Sequence, residues 1–457
     1  MEPCSIRGFL KPYEESREYV DARIKAGIEQ NRKSRGKIRV LDQDGQPVVG
    51  AHLRFVQKSH DFKLGANIFM LDEMESEEKN AEYKRLFADT FNLATVPFYW
   101  NSLEPEQGKP RFAADSPKIY RRPAPDLCLD FCEKHGITPK AHCLNYDGWS
   151  VPAWMPRDSV QAVKEALERR FEQLAERYRS RIPGWEVTNE TLCACTDNHT
   201  PFFYEDDFIS WSFETARRYF PRNELIINEA PSKIFWEVTG EMPDNMRRRF
   251  VGNRSIYFMQ IERELRNGTP IDAIGFQYHM FMRREAMARD AHTFCDPVYM
   301  YRLLDKYATF GKPLQITETT LSAFGSLPED EEIQAQLLTM LYSVWFSHPA
   351  MEAIIYWNLV DGYAVGAQPG DMTSGENYYH GGLVRFDMTP KPAFLALKDL
   401  FEKQWRTQGE AETDGEGCAH IRGFHGQYDV EVVGDGRTTH AQIHLSRDGT
   451  NRFTVIV

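Results

Sequence analysis

Gly184-Trp185-Glu186-Val187-Thr188-Asn189-Glu190 is a short apolar run that closes on an amide and a carboxylate. Pro313-Leu314-Gln315-Ile316-Thr317-Glu318 is a second run closing on a carboxylate. They are the fourth and seventh of eight such runs, the others lying at 62–68, 91–96, 138–143, 224–228, 271–276 and 353–358. Apolar runs this short, bounded by polar stretches, read as strands buried on both faces of a parallel sheet. Amphipathic segments at helical spacing lie between and after them, at 80–90, 126–134, 159–178, 206–218, 245–266, 298–307, 331–346 and 393–404. Eight strands alternating with eight helices predict an α/β fold, a (β/α)8 TIM barrel, over residues 61–405.

The flanks read differently. Residues 13–33 are rich in Glu, Arg, Lys and Ala and predict a lead-in helix. Residues 37–41 and 48–57 alternate as strands around the turn Asp42-Gln43-Asp44-Gly45-Gln46-Pro47, which predicts a β-hairpin within 1–60. Residues 407–417 are polar and loop-like, while 420–424, 427–433, 438–445 and 452–457 alternate as strands. Segment 406–457 is expected to pair with the early hairpin, so that both chain ends build one small accessory β-domain. Phe424, His425 and Tyr428 in that domain fit either a sugar-stacking face or a cover over the barrel's flank, and the cover is the favoured reading.

Composition narrows the function. The chain has 457 residues, 42% hydrophobic and 27% charged, enough for a large core. A net charge of −12 makes nucleic-acid phosphates and anionic membranes poor partners. No apolar run reaches the ~20 residues of a membrane span. The beginning, Met1-Glu2-Pro3-Cys4-Ser5-Ile6-Arg7-Gly8, lacks the basic and apolar regions of a secretory signal. A cytoplasmic location is therefore expected, or a secreted or periplasmic one if a signal has been removed. The eight scattered cysteines suit a reducing compartment. Cys193-x-Cys195 with His199 is half of a zinc pattern, but no second ligand pair accompanies it, and a thiol pair is the better reading.

In such a barrel the reactive groups stand at the carboxyl ends of the strands. Ends four and seven face each other across the mouth, so Glu190 and Glu318 can share a cleft. Any single Glu in so acidic a chain is more often a solvated charge; two at opposed strand ends, one preceded by Asn189, point to chemistry. Opposed carboxyls hydrolyse glycosidic bonds, one protonating the leaving oxygen while the other attacks or activates water. That chemistry requires no metal or organic cofactor.

These segments also resemble glycoside hydrolase family 10, the β-1,4-xylanase family. Trp185–Glu190 is similar to its Trp-Asp-Val-Val-Asn-Glu segment and Ile316-Thr317-Glu318 to its Ile-Thr-Glu strand. Ile271-Asp272-Ala273-Ile274-Gly275-Phe276-Gln277-Tyr278-His279-Met280 is similar to Ile-Asp-Gly-Ile-Gly-Phe-Gln-Ser-His-Leu. Leu103-Glu104-Pro105-Glu106-Gln107-Gly108, Tyr356-Trp357 and Pro390-Lys391-Pro392-Ala393 also fit, so the resemblance runs in order from Phe62 to Leu400. It implies Glu190 as acid/base and Glu318 as nucleophile in a retaining double displacement. Asn189 would bond the sugar 2-hydroxyl, His279 would orient Glu318, His142 and Gln277 would line the −1 sugar, and Trp357 would floor it. Tyr146 and Trp100 are further candidates for substrate contact. The implied partner is a β-linked oligosaccharide or polysaccharide; the oligomeric state is left open.

The departures bear on specificity. Where the family carries Glu-Asn-x-x-Lys-Trp to hold the −2 xylose, this chain has Thr95-Val96-Pro97-Phe98-Tyr99-Trp100. The family's His-Thr-Leu-Val-Trp-His is His142-Cys143-Leu144-Asn145-Tyr146-Asp147, and Val365 stands where a second tryptophan is expected, before the insertion Gly366-Ala367-Gln368-Pro369-Gly370. The favoured expectation is hydrolysis of xylan or xylooligosaccharides. The alternatives are the same mechanism on another β-glycoside or short oligosaccharide, and, more remotely, a non-catalytic carbohydrate-binding barrel.

Overall fold

A helix, α1 (Lys11–Asn31), leads into strands β1 (Lys33–Leu41) and β2 (His52–Gln57) before the barrel begins. The barrel strands are β3 (Lys63–Asn67), β4 (Leu93–Pro97), β5 (Thr138–Asn145), β6 (Gly184–Asn189), β7 (Glu224–Glu229), β8 (Ala273–His279), β9 (Leu314–Thr320) and β10 (Met351–Tyr356). All are parallel and close in chain order, β10 pairing with β3. The computed structural model describes residues 5–457 apart from 193–197, 231–253, 288–293, 326 and 435. The expected barrel is present, each strand overlapping its predicted run. The helix expected over 245–266 is seen as Ile256–Arg266, its first nine residues lying outside the described ones. Among the described residues no helix is long and apolar enough to cross a membrane.

The strands bury both faces because interior side chains fill the barrel and exterior ones meet helices. On β6, for example, Trp185 and Val187 are buried in the helical layer, Trp185 against Phe220 and Phe98. Glu186 and Thr188, on the alternate positions, are equally buried.

The chain ends do pair, but not as a hairpin. β1 joins β12 (Cys418–Phe424) antiparallel and β15 (Arg452–Ile456) parallel. β2 lies in a different sheet, between β11 (Gln408–Glu412) and β13 (Gly426–Gly434), with β14 (Arg437–Leu445) at its edge. The predicted turn does close, Val48 N–H donating to the Val40 carbonyl at 3.0 Å. The chain then turns at Gly50, whose φ of +72° lies in the left-handed region. Thr413 captures the redirected strand: its hydroxyl accepts from Ala51 N–H at 2.8 Å and donates to the Val48 carbonyl at 2.7 Å. The same interaction corrects the loop expected over 407–417, since residues 408–412 find an edge on β2 and become a strand.

Phe424 and Tyr428 are buried, and the Tyr428 hydroxyl donates to the Phe424 carbonyl at 2.6 Å. Phe424 packs 6.0 Å from Phe346 of the helix Asp330–Ser347, which itself stacks on Trp405 at 4.0 Å. These aromatics cover the barrel's flank and offer no open stacking face.

Candidate active site

Six strand ends converge at the mouth. Gly275 on β8 makes the convergence feasible: a Cβ there would lie 2.7 Å from the Thr317 methyl and 2.9 Å from Asn228 Oδ1. Without it, Asn228 of β7 reaches across β8. Its Oδ1 accepts from the Thr317 hydroxyl, and its Nδ2 donates to Asn189 Oδ1 at 2.7 Å and Glu318 Oε1 at 3.0 Å. One buried amide thus ties the ends of β6 and β9 together. Sequence reasoning missed Asn228; its place at the end of an apolar run was the available signal.

Glu318 is buried and held by three donors. Besides Asn228, Gln277 Nε2 lies 3.1 Å from Oε1 and His279 Nε2 lies 3.1 Å from Oε2. His279 Nδ1 faces the Thr320 hydroxyl at 2.9 Å. Burial pushes the His279 pKa down to about 4, so a neutral ring donates to the carboxylate while its other nitrogen accepts from Thr320. Burial raises the Glu318 pKa above the ordinary carboxylate range. The His142 charge opposes that rise, and the Glu186 and Glu190 charges add to it.

Glu190 follows β6 with a φ of +54°, in the left-handed region. Its N–H donates to the Asn228 carbonyl at 3.2 Å. The Tyr146 hydroxyl donates to its Oε2, and Gln277 Nε2 lies 3.0 Å from its Oε1. Gln277 therefore touches both carboxylates, and their two Oε1 atoms lie no farther apart than those contacts end to end, about 6.1 Å. Asn189 Oδ1 accepts from Asn228 and, at 3.3 Å, from Gln277, so its amide nitrogen is the end left to meet a ligand. Glu229 of β7 holds the turn beyond Glu190, its Oε2 accepting from Leu192 N–H at 3.0 Å and the Thr191 hydroxyl at 3.2 Å.

Beneath the pair sits a buried ionic group that sequence reasoning did not assemble. Glu186 of β6 accepts from Lys140 Nζ and pairs with His142 Nδ1, both on β5. Burial works to raise the Glu186 pKa, but the Lys140 and His142 charges hold it below its ordinary value. Burial works to lower the His142 pKa, and the Glu186 charge and hydrogen bond outweigh it, leaving it raised. His142 Nδ1 lies 3.9 Å from Glu318 Oε1, so its charge faces the candidate nucleophile. His142, Glu186 and Glu318 each bring a ligand-type atom within 4.8 Å of the others. The Lys140 ammonium already supplies a cation there, which leaves little call for a metal ion.

Trp357 packs between His142 and His279, 5.8 Å from each ring, and 5.3 Å from Phe69. The structure thus brings Glu190, Glu318, Asn189, His142, Gln277, His279, Trp357 and Tyr146 into one group. It does not bring Trp100 there: that indole donates to Glu104 Oε2 at 2.8 Å and packs on Trp154 and Arg170. Asp147 is also turned to structure, accepting from Thr200 N–H at 2.8 Å and the Thr200 hydroxyl at 2.6 Å. Cys193 and Cys195 lie outside the described residues; His199 stacks on Phe203 at 3.7 Å.

A parallel eight-stranded barrel with two hydrogen-bonded carboxyls at its mouth defines a site of the glycosidase type. The sequence profile described as Glycosyl hydrolase family 10 matches residues 58–400, and the chain belongs to that family. It is 25% identical over 401 residues to Endo-1,4-beta-xylanase 2 of Arabidopsis thaliana, covering 85% of this chain and 31% of that protein. It is 23% identical over 357 residues to Endo-1,4-beta-xylanase B of Thermotoga neapolitana, covering 75% and 88%. The anti-sigma-I factor RsgI6 of Acetivibrio thermocellus is 23% identical over 420 residues, 90% of this chain and 46% of that protein. This chain therefore spans a third to a half of several relatives it matches. Xylanase 10B of Thermotoga petrophila RKU-1, solved in complex with xylobiose, superimposes with a TM-score of 0.56 at 20% identity, over 75% of this chain and 95% of that one. That likeness concerns the fold.

Proposed function

We propose that the protein is a retaining glycoside hydrolase acting on β-1,4-linked xylooligosaccharides or xylan. The observation that carries the mechanism is the bridge of Gln277 between Glu190 and Glu318. Contacts of 3.0 and 3.1 Å to one Gln277 nitrogen keep one oxygen of each carboxyl within about 6.1 Å of the other, toward the short end of the spacings glycosidases use. That spacing accommodates the roughly 5–5.5 Å of retaining enzymes. In the first step Glu318 attacks the anomeric carbon while Glu190 gives its proton to the leaving oxygen. In the second, Glu190 takes a proton from water as that water attacks the glycosyl–Glu318 ester. The Asn189 amide would donate to the sugar 2-hydroxyl, and His142 and Trp357 would bound the −1 sugar. Family relatives named as endo-1,4-beta-xylanases support the substrate class.

The substituted segment Thr95–Trp100 favours a second reading, the same chemistry on a different β-glycoside or on short oligosaccharides. Product analysis on xylan, xylooligosaccharides and aryl β-glycosides, with Glu318→Ala as control, separates the two. Early NMR spectra of the product give the stereochemistry. A β-anomer formed first is the expected result, and an α-anomer formed first overturns retention.

A further inference from the structure

The wall beside the −1 sugar holds two buried arginines that the chemistry does not use. Tyr99, at the end of β4, stands 5.1 Å from the His142 ring. The Arg122 guanidinium lies over Tyr99, 3.9 Å from its centroid, and 5.9 Å from the ring of Trp149. Arg122 is therefore no more than about 9 Å from the His142 ring, on the wall to which the replaced segment contributes Tyr99. Trp149, 44% exposed and 5.0 Å from Tyr99, continues that wall.

Arg121 adds a second charge. Its φ of +61° puts it in the left-handed region, and its guanidinium and that of Arg122 stand 5.7 and 5.5 Å from the same Phe69 ring. Arg121 is 2% exposed and donates through Nη1 to the Tyr363 carbonyl, while its buried Nε and Nη2 have no partner among the described residues. Arg122 is 9% exposed and donates through Nη1 to the Arg121 carbonyl at 2.8 Å. Among the described residues neither guanidinium has a carboxylate within 4 Å. The acid whose charge reaches Arg122 is Glu376, itself bonded to Asn358 Nδ2 at 2.8 Å. Burying two cations against aromatic faces without a paired anion is costly, and the cost falls when a ligand brings the anion. A guanidinium fork fits a carboxylate with two parallel hydrogen bonds.

We propose that Arg122, backed by Arg121 and seated on Tyr99, is a subsite for the carboxylate of a uronic acid borne by the substrate next to the cleaved sugar. The inference rests on the glycosidase reading above. Xylose has no C6 on which to carry a carboxyl, so on a xylooligosaccharide the anion arrives on a branch.

The test uses the intact chain with Glu318→Gln, so that ligands bind without turnover, and isothermal titration calorimetry. The probes are xylotriose carrying one glucuronosyl branch, the methyl ester of the same compound, and unbranched xylotriose. The free acid is expected to bind at least tenfold more tightly than its ester at low salt, with the gap shrinking as salt rises. Adding Arg122→Gln is expected to bring acid and ester together, and Arg122→Lys to keep part of the gap. Equal affinity of acid and ester in the protein with Arg122 intact overturns the subsite, and that comparison needs no arginine variant to fold. If unbranched xylooligosaccharides are still hydrolysed by the unsubstituted enzyme, the glycosidase reading survives that outcome. Binding of no probe, together with no turnover, overturns both.

Discussion

Two walls of the same mouth are built by different means. The catalytic wall is carried on the ends of β5, β6, β7, β8 and β9, where Asn228 and Gln277 tie Glu190, Asn189 and Glu318 into one network of contacts between 2.7 and 3.3 Å. The neighbouring wall, Tyr99 with Arg122 and Trp149, draws two of its three groups from connecting segments and is held by ring contacts of 3.9–5.9 Å. Bond-making tolerates little misplacement, so its groups sit on backbone fixed by ladders on both sides. Sugar selection works by shape and charge over a longer range, and segments between elements can be replaced without disturbing the barrel. The resemblance to family 10 motifs is kept at the ends of β6, β8 and β9 on the first wall, is partial at the end of β5, and lapses in the Thr95–Trp100 segment that supplies Tyr99 to the second.

The largest expected effect tests the first wall directly. Glu318→Ala should lower kcat by about 10⁴-fold or more on every substrate, since no neighbouring group can replace the nucleophile. Substantial residual turnover would remove Glu318 from that role. Glu190→Ala should cost about 10²–10⁴-fold on oligosaccharides and far less on aryl glycosides whose leaving group needs no proton. Equal losses on both substrate types would break the acid assignment.

A smaller effect tests what lies beneath. Lys140→Met leaves the buried Glu186 short of a partner and should destabilise the fold by about 3–5 kcal/mol, read by denaturant unfolding. Glu186's pKa is depressed in the folded state, so its charge stabilises the fold above the ordinary glutamate value and that contribution is lost as pH falls. The difference between wild type and variant should therefore narrow in acid. The smallest effect is a shift in pH profile. The proposed mechanism needs Glu318 ionised, and burial raises its pKa, so the acid limb of kcat/KM should lie above the ordinary carboxylate range. A limb near pH 4 would show that the surrounding donors outweigh burial.

Much of the catalytic wall was legible because its residues follow strand periodicity. Apolar runs ending in Asn189-Glu190 and Glu318 declare both their burial and their end of the barrel, and Gln277 and His279 sit two apart on one strand, facing the same way. Asn228 carried the same signal more faintly. Lys140 and Glu186 were harder, since a charge inside an apolar strand declares no partner until β5 and β6 lie side by side. Trp100 shows the converse: an aromatic at the right place in the motif, whose ring the fold spends on Glu104 and Trp154. Arg121 and Arg122 lie in a Pro-rich connection with no periodicity at all.

By itself the sequence determined the barrel, the strand ends that bear the two carboxyls, and the strands of the terminal β-segments other than β11. Each of these follows from the alternation of apolar and polar residues along a short stretch, which is local information. Tertiary structure alone decided that β1 and β2 part into separate sheets, that Gln277 spans the two carboxyls, and that two arginines come to rest against Phe69, one of them over Tyr99. Those outcomes depend on which distant edges, carbonyls and rings meet once the barrel closes, and no stretch of chain carries that in its own pattern.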